Sequence, residues 1–159
     1  MHAGGTGTCF EGADARFNWL DSYQAVIGRR SLEEEPHMRE ILIVEDEEDL
    51  INILGIVLED EGYKVTKASS AEEALLLCQT QPPDLIISDV KMGGMDGFAL
   101  LEKIKATVSL KNIPFIFLTS FDEEQARKKG LRLGAIAYVT KPFDVDPLLE
   151  IVLKLSPPA

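Results

Sequence analysis

The sequence predicts an α/β fold in which a doubly wound, five-stranded parallel sheet lies between two layers of helices. Short apolar runs rich in β-branched residues, such as residues 41–44, recur along the chain. Between them lie longer segments whose apolar residues repeat at helical spacing, as over residues 50–58. The two patterns alternate strictly, which favours parallel strands joined by right-handed helical crossovers.

Each predicted strand is a short run bounded by polar or turn-forming residues. Runs that are apolar throughout are typical of strands buried on both faces of a sheet. The second run is more polar than the others, and Pro114 opens the fourth. The predicted strands are residues 41–44, 64–68, 85–88, 115–118 and 136–139.

The predicted helices have recognisable starts and ends. Ser69 and Ser70 offer capping hydroxyls before the second helix, and the acids that follow them suit a helix N-terminus. The Glu61-Gly62 pair ends the first helix, and a glycine-rich loop leads into the third. The helices are expected from Leu50 to Glu61, from Ser70 through Cys78, from Gly97 through Lys105, over 122–132 and over 146–155.

Composition limits the class of protein. The chain has 159 residues, 45% of them hydrophobic, with a net charge of −11, which suits one globular domain with a short appendage. Its apolar runs are far shorter than the ~18–20 residues of a membrane span. The acidity argues against sequence-independent binding to nucleic acid. Cys9 and Cys78 form no metal motif, and Cys78 lies in an apolar helical segment, so a reducing, cytoplasmic location is expected.

The chain divides into a domain and two appendages. Residues 1–37 carry several glycines, few aliphatic residues and an acidic run, so they are interpreted as an N-terminal extension. This extension is a disordered tether, a mis-assigned start or a non-native leader, and Met38 looks like a natural start. The folded domain is expected over 38–156, with 157–159 as a tail. It is either a stand-alone domain or a piece excised from a longer protein.

Side chains capable of chemistry stand at the ends of four of the five predicted strands. Glu45 and Asp46 follow the first strand and Asp89 follows the third; Thr119 and Lys141 follow the fourth and fifth. Open parallel sheets bind ligands at the carboxyl ends of their strands. Taken singly, each residue has a structural explanation: a solvated turn or loop cap for the acids, a helix cap for Thr119, a surface position for Lys141. Their joint occurrence indicates a site.

The chemistry of this set is that of phosphoryl transfer. Crowded carboxylates raise one another's pKa unless a cation lies among them, and Mg²⁺ prefers hard oxygen ligands and phosphate oxygens. Asp89 is therefore a candidate nucleophile that would become an aspartyl phosphate. Lys141 would supply positive charge to the phosphoryl oxygens and Thr119 a hydrogen bond.

Five blocks at the strand ends, taken together, resemble the receiver domain of bacterial two-component response regulators. The resemblance covers about residues 39–155 and implies the CheY-like, flavodoxin-like three-layer sandwich. The blocks that carry it are 41–47, 83–89, 92–97, 113–120 and 134–143.

The resemblance implies a role for each residue of the set. Asp89 accepts a phosphoryl group from a phosphohistidine on a sensor histidine kinase or a histidine phosphotransfer protein. Asp46 binds Mg²⁺ directly and Glu45 binds it through water, while Asp89 and the main-chain carbonyl of Lys91 complete the protein ligands. Mn²⁺ could take the place of Mg²⁺.

The resemblance also implies a switch. Thr119 and Lys141 contact the phosphoryl group, and the Lys141–Pro142 peptide bond is cis. Thr119 moves toward the phosphate and Tyr138 turns inward, which changes the surface formed by the fourth helix, the fifth strand and the fifth helix.

A downstream protein is expected to bind that surface, with no direct nucleic-acid contact and no membrane insertion. The chain would be a monomer or a phosphorylation-dependent dimer. Its only catalysis would be self-catalysed phosphoryl transfer and slow autodephosphorylation.

Three features depart from the family pattern. Gly93 stands where the family often has proline, so the loop after Asp89 is expected to be more mobile. Lys91 and Phe121 are expected to border the path of the hydrolytic water and to slow loss of the phosphoryl group. Residues 127–129 and Arg132 form a basic stretch, interpreted either as a solvated helix face or as a surface for an acidic partner.

Three other functions are alternatives to this one. A phosphatase with an aspartate nucleophile would usually need a second acid two residues after Asp89, where Lys91 stands. A flavin carrier of similar topology would need a phosphate-binding loop after the first strand, and the acidic stretch 45–49 would repel phosphate. A pseudo-receiver that binds partners without phosphorylation stays an alternative, although the complete set of site residues argues against it.

Overall fold

The predicted fold class is confirmed by a computed structural model, which describes residues 39–120 and 123–158. Its strands are β1 (Glu40–Val44), β2 (Lys64–Ala68), β3 (Leu85–Ser88), β4 (Phe115–Thr119) and β5 (Ala137–Thr140). Its helices are α1 (Glu48–Asp60), α2 (Ala71–Thr80), α3 (Gly97–Ala106), α4 (Glu124–Leu133) and α5 (Val145–Leu155). The extension over 1–37, Met38 and Phe121 lie outside the described residues.

All strands are parallel, in the order β2-β1-β3-β4-β5. The chain goes to one side of β1 to form β2 and then crosses to the other side to form β3. The strand order therefore reverses at β1. In sheets of this kind that reversal opens a crevice beyond the carboxyl ends of the central strands.

The three central strands of the sheet, β1, β3 and β4, are buried on both faces. Leu42, Ile86 and Phe117 share one core cluster with buried residues of α2, α3 and α4. Neighbouring strand residues such as Ile43 and Ile87 point to the opposite face and are also buried. The helix α1 packs against β1 and β2. The apolar runs of β1, β3 and β4 thus have the burial expected of them, whereas the run 136–139 is only partly buried and Ile136 is exposed.

A hydrogen bond joins two elements at the edge of the sheet where the strands begin. The Tyr63 hydroxyl, just before β2, donates to the Ser156 carbonyl just after α5, at 2.5 Å. Tyr63 is fully buried. This bond ties the turn after α1 to the end of α5.

Two local features follow the sequence closely. Ser70 caps α2 by accepting a hydrogen bond from the Glu73 main-chain N–H at 3.1 Å. Cys78 lies fully buried in the same helix. Burial, together with the charge of Glu40, raises the pKa of the Cys78 thiol to about 11. Among the described residues, every helix is too short or too polar to cross a membrane.

Most elements differ from the prediction by one or two residues at an end, and two of these differences are informative. The fourth helix begins at Glu124, after Glu123 in an extended N-cap conformation, so the interpretation of Thr119 as a helix cap is wrong. The fifth strand begins at Ala137, one residue later than predicted. Gly134 ends α4 with a φ of +119°, and the Ala135 N–H still donates to the Gly130 carbonyl, so the closing turn extends into the expected start of the strand.

Candidate functional site

The carboxyl ends of β1 and β3 bring three carboxylates together. The register pairs Val44 with Ser88, and the Asp89 N–H donates to the Val44 carbonyl at 3.0 Å. Each of Glu45, Asp46 and Asp89 offers an oxygen, and these oxygens all lie within 4.8 Å of one another. Glu45 and Asp89 are buried, whereas Asp46 is exposed. The adjacency inferred from the strand ends is therefore present.

Lys141 enters this cluster from the end of β5. Its Nζ lies 3.1 Å from Glu45 Oε1 and 3.3 Å from Asp89 Oδ2. Its main-chain N–H donates to the Thr119 carbonyl at 2.8 Å, and the peptide bond to Pro142 is cis. Burial disfavours the charged amine, but hydrogen bonds from Lys141 to Glu45 and Asp89, with the charges of both acids, outweigh that effect and raise the pKa of Lys141. The lysine is thus held in its charged form.

The buried acid Glu45 is under opposing influences. Burial raises the pKa of Glu45 first, and the nearby charge of Asp89 adds to the increase. The hydrogen bond from Lys141 and another from the Glu47 N–H, at 3.1 Å to Oε2, act in the opposite direction. Added positive charge near Glu45 would therefore favour the ionised form of its carboxyl group.

Asp89 is fixed through both of its carboxylate oxygens. Oδ1 accepts the main-chain N–H of Val90 at 2.7 Å, and Oδ2 faces Lys141. The Ser88 hydroxyl donates to the Asp89 carbonyl at 2.7 Å. These bonds hold the carboxylate at the strand end in one orientation.

The oxygen donors of the cluster fit a magnesium ion. Carboxylates are the ligands that Mg²⁺ takes from proteins, and it commonly uses one or two of them together with water and phosphate oxygens. One exposed acid leaves the cluster open to solvent on the side of Asp46.

Thr119 and Tyr138 lie on the neighbouring strands. Thr119 is fully buried at the end of β4 and pairs with Thr140 of β5. The Tyr138 ring is buried against Phe117, with a ring-centre distance of 5.7 Å. Thr119 is therefore at the same edge as the acids, whereas Tyr138 points into the core beneath α4.

The basic stretch of α4 has contacts within the fold. Arg127 Nη1 donates to the Tyr138 carbonyl at 2.9 Å, and its guanidinium lies 5.2 Å from the centre of that ring. Lys129 Nζ lies 4.7 Å from the centre of the Phe98 ring. Two of the four cations thus contact buried aromatic rings, which neither interpretation of this stretch included. A surface for an acidic partner stays a prediction for the exposed Lys128 and Arg132.

Two acids near the site have contacts that sequence reasoning missed. Glu47 is the N-cap of α1, and its Oε1 also lies 3.9 Å from Lys141 Nζ. Glu72 was interpreted only as a first-turn acid of α2, yet its Oε2 accepts the Met95 N–H at 3.0 Å. Nothing in the sequence pattern distinguishes Glu72 from the neighbouring Glu73.

The chain is similar in sequence to known proteins. The family model described as the response regulator receiver domain matches residues 41–153. Sporulation initiation phosphotransferase F of Bacillus subtilis is 35% identical over 117 residues, which cover 74% of this chain and 93% of the relative. The alkaline phosphatase synthesis transcriptional regulatory protein of the same organism is 38% identical over 121 residues, covering 74% of this chain but only 50% of the relative.

A solved structure extends the comparison to the fold. The chemotaxis response regulator of Vibrio cholerae superposes with a TM-score of 0.70 at 30% identity, over 75% of this chain and 99% of that one. The matched length is therefore nearly a whole protein in some relatives and about half of a protein in others.

Proposed function

Because this chain belongs to the family of response regulator receiver domains, which are phosphorylation-activated signalling switches, we propose that Asp89 is its phosphoacceptor. One carboxylate oxygen of Asp89 attacks the phosphorus of a phosphohistidine. The new O–P bond forms as the P–N bond breaks, and the imidazole of the partner leaves. The observation that carries the proposal is the convergence of Glu45, Asp46, Asp89 and Lys141 at one edge of the sheet.

Receiver domains bind Mg²⁺ at an acidic cluster, and this chain has such a cluster. We propose Asp46, Asp89, Glu45 through water, and the main-chain carbonyl of Lys91 as the protein ligands, with Mn²⁺ as a substitute. When bound, the ion would neutralise the acids and attract the phosphoryl oxygens.

The remaining residues would stabilise the transferred group. Lys141, already held charged beside Asp89, would pair with a phosphoryl oxygen once the aspartate is esterified. Thr119 would donate its hydroxyl to another oxygen. Since Thr119 and Tyr138 lie on adjacent strands, a shift of Thr119 would be transmitted to the Tyr138 ring and to α4 above it.

The partners follow from this reaction. The phosphoryl donor would be a histidine kinase or a histidine phosphotransfer protein, and the target a protein that binds the α4–β5–α5 surface. The relatives range from about the matched length to several times that length, so the output of the whole protein belongs to this proposal, as do its oligomeric state and cytoplasmic location.

The decisive test is intact mass after incubation with acetyl phosphate, with and without Mg²⁺. We expect one phosphoryl adduct that depends on Mg²⁺ and is abolished in Asp89→Asn. The matched control is Asp96→Asn in the same loop. Asp96 caps α3 through Ala99 N–H at 2.8 Å, and asparagine caps helices equally well, so this variant should label like wild type.

Two results would contradict the proposal. An undiminished adduct in Asp89→Asn would refute the residue assignment. No adduct in the wild type, together with no binding of beryllofluoride, would favour a pseudo-receiver. Binding of beryllofluoride without an adduct would instead indicate an intact site whose phosphoryl form is short-lived.

A further inference from the structure

We propose that Glu72 is a positioning residue for the metal site, because its carboxylate holds the loop that joins Asp89 to α3. The inference rests on the proposed function, since this loop carries the Lys91 carbonyl. Glu72 does not touch the cluster of acids. It acts through the main chain of Met95.

The contact between Glu72 and the loop is defined by two observations. Glu72 Oε2 accepts the Met95 N–H at 3.0 Å. Gly94 has a φ of +80°, and a Cβ placed on it would lie 2.9 Å from the same oxygen. The carboxylate therefore lies close over the Gly94 backbone, and a Cβ at this position would have to displace it.

The base of the loop is held separately. The Gly97 N–H donates to the Val90 carbonyl at 2.7 Å, and a Cβ placed on Gly97 would lie 2.2 Å from the Asp89 carbonyl oxygen. The start of α3 is thus pressed against the main chain of the phosphoacceptor. Glu72 holds the far side of the loop, so Lys91 lies between two anchored points.

Through α2, Glu72 also connects the two halves of the site. The Ala68 carbonyl at the end of β2 accepts the Glu45 N–H at 3.0 Å, and α2 begins three residues later. One half of the cluster comes from β1 and is bonded to β2, and the other half comes from β3 and its loop. The bond between Glu72 and Met95 links the element after β2 to the loop after β3.

The charge state of Glu72 suits this contact. The N–H of Met95, followed by the N–H of Glu72 itself, lowers the pKa of the Glu72 carboxyl. Gly93, two residues before Met95, has nothing within 4 Å of an added Cβ. The loop has glycine and not proline at position 93, and the hydrogen bond from Met95 to Glu72 of α2 restrains it instead.

The test measures Mg²⁺ binding of the full chain by isothermal titration calorimetry, in the wild type and in three variants. We expect Glu72→Ala to weaken Mg²⁺ affinity roughly tenfold, at the low end of the loss caused by removing an outer-shell partner of a metal site. Glu72→Gln should restore most of the affinity, because its amide oxygen can still accept the Met95 N–H. Glu102→Ala, which removes an exposed acid from α3, should bind like wild type.

A second measurement needs no metal. Without Mg²⁺, hydrogen exchange of the Met95 amide should be about fivefold faster in Glu72→Ala, as expected for the loss of one net hydrogen bond. The exchange rate in Glu72→Gln and Glu102→Ala should match the wild type.

The possible outcomes separate this inference from the proposed function. Unchanged Mg²⁺ affinity in Glu72→Ala, beside a wild type that binds Mg²⁺, would overturn the inference alone. Equal losses in Glu72→Ala and Glu72→Gln would also overturn it, since they would assign the effect to charge and not to the hydrogen bond. A wild type that neither binds Mg²⁺ nor labels at Asp89 would overturn the proposed function, while the exchange rate of Met95 would still decide whether Glu72 holds the loop.

Discussion

The two ends of β1 each carry a buried glutamate, and the surroundings of the two carboxylates differ in kind. At the amino end, Glu40 accepts hydrogen bonds from the Thr66 hydroxyl at 2.6 Å and from the Gln81 amide at 2.8 Å. At the carboxyl end, Glu45 shares Lys141 with Asp89 and has a third carboxylate beside it. Neutral donors satisfy the first glutamate, whereas the second lies among like charges.

This difference separates an acid that serves the fold from the acid that we propose for the metal site. A buried carboxylate that receives hydrogen bonds from neutral groups needs no ion. The carboxylates of Glu45, Asp46 and Asp89 repel one another unless positive charge beyond that of Lys141 arrives. Burial alone therefore does not distinguish Glu40 from Glu45. The charges around each carboxylate do.

The largest expected effect is a loss of stability at Gly97, whose backbone packs against Asp89 at the end of β3. Gly97→Ala would place a Cβ 2.2 Å from the Asp89 carbonyl oxygen and 2.9 Å from the Phe117 ring. We expect a loss of about 3 kcal/mol in the free energy of unfolding, the upper end of the usual cost of overpacking. Urea denaturation measures it.

The matched control for that variant lies four residues earlier in the same loop. An added Cβ at Gly93 meets nothing within 4 Å, and φ is not positive there. Gly93→Ala should therefore be neutral or stabilise the protein by about 0.5 kcal/mol through the unfolded chain. Equal losses in the two variants would show that the contact between Gly97 and Asp89 is not the reason.

The next effect concerns Mg²⁺ and distinguishes the two ends of β1 directly. Asp46→Ala should weaken Mg²⁺ affinity about 100-fold, at least as much as the loss of an outer-shell partner, and this corresponds to about 2.7 kcal/mol. Glu40→Gln, at the other end of the strand, should leave the affinity unchanged. Calorimetric titration of both variants would contradict the comparison if the two changed the affinity equally.

Much of this comparison could be predicted from the sequence. Apolar β-branched runs such as Ile41–Val44 predicted buried strands, and alternation with helical segments predicted their parallel order. The order then implied that Glu45, Asp89 and Lys141 share an edge, because the carboxyl ends of parallel strands meet. The proposed site residues at the strand ends can therefore be located in the sequence once the strands are known.

Other contacts could not be read from the sequence. Glu72 and Glu73 are adjacent first-turn acids, and only the rotation of α2 decides that Glu72 reaches Met95 while Glu73 bonds the Ser69 N–H. Glu40 has the sequence context of a charged residue preceding a strand, and its partners Thr66 and Gln81 come from two other elements. Such contacts depend on side-chain direction and helix placement, which periodicity does not specify.

A smaller loss of stability is expected when the hydrogen bonds of Glu40, at the amino end of β1, are removed. Glu40→Ala removes the acceptor for the Thr66 hydroxyl and the Gln81 amide, so we expect the free energy of unfolding to fall by about 2 kcal/mol, the usual cost of losing hydrogen bonds to a charged group. The same variant should bind Mg²⁺ and label at Asp89 like wild type. Loss of labelling with little loss of stability would mean that Glu40 belongs to the site after all.

The smallest expected effect is a gain in stability, and it tests the repulsion among the three carboxylates. In Mg²⁺-free buffer, Asp46→Asn removes one of three neighbouring negative charges while keeping the size of the side chain. Since Asp46 is exposed, its repulsion of Glu45 and Asp89 is screened by solvent, and the expected gain in the free energy of unfolding is only about 0.5 kcal/mol. Saturating Mg²⁺ should reverse the order of stability, because the wild type then gains binding energy that the variant has largely lost. If Asp46→Asn instead destabilised the metal-free protein, the negative charges at this end would already be neutralised by groups of the protein. The distinction between the two glutamates of β1 would then no longer hold.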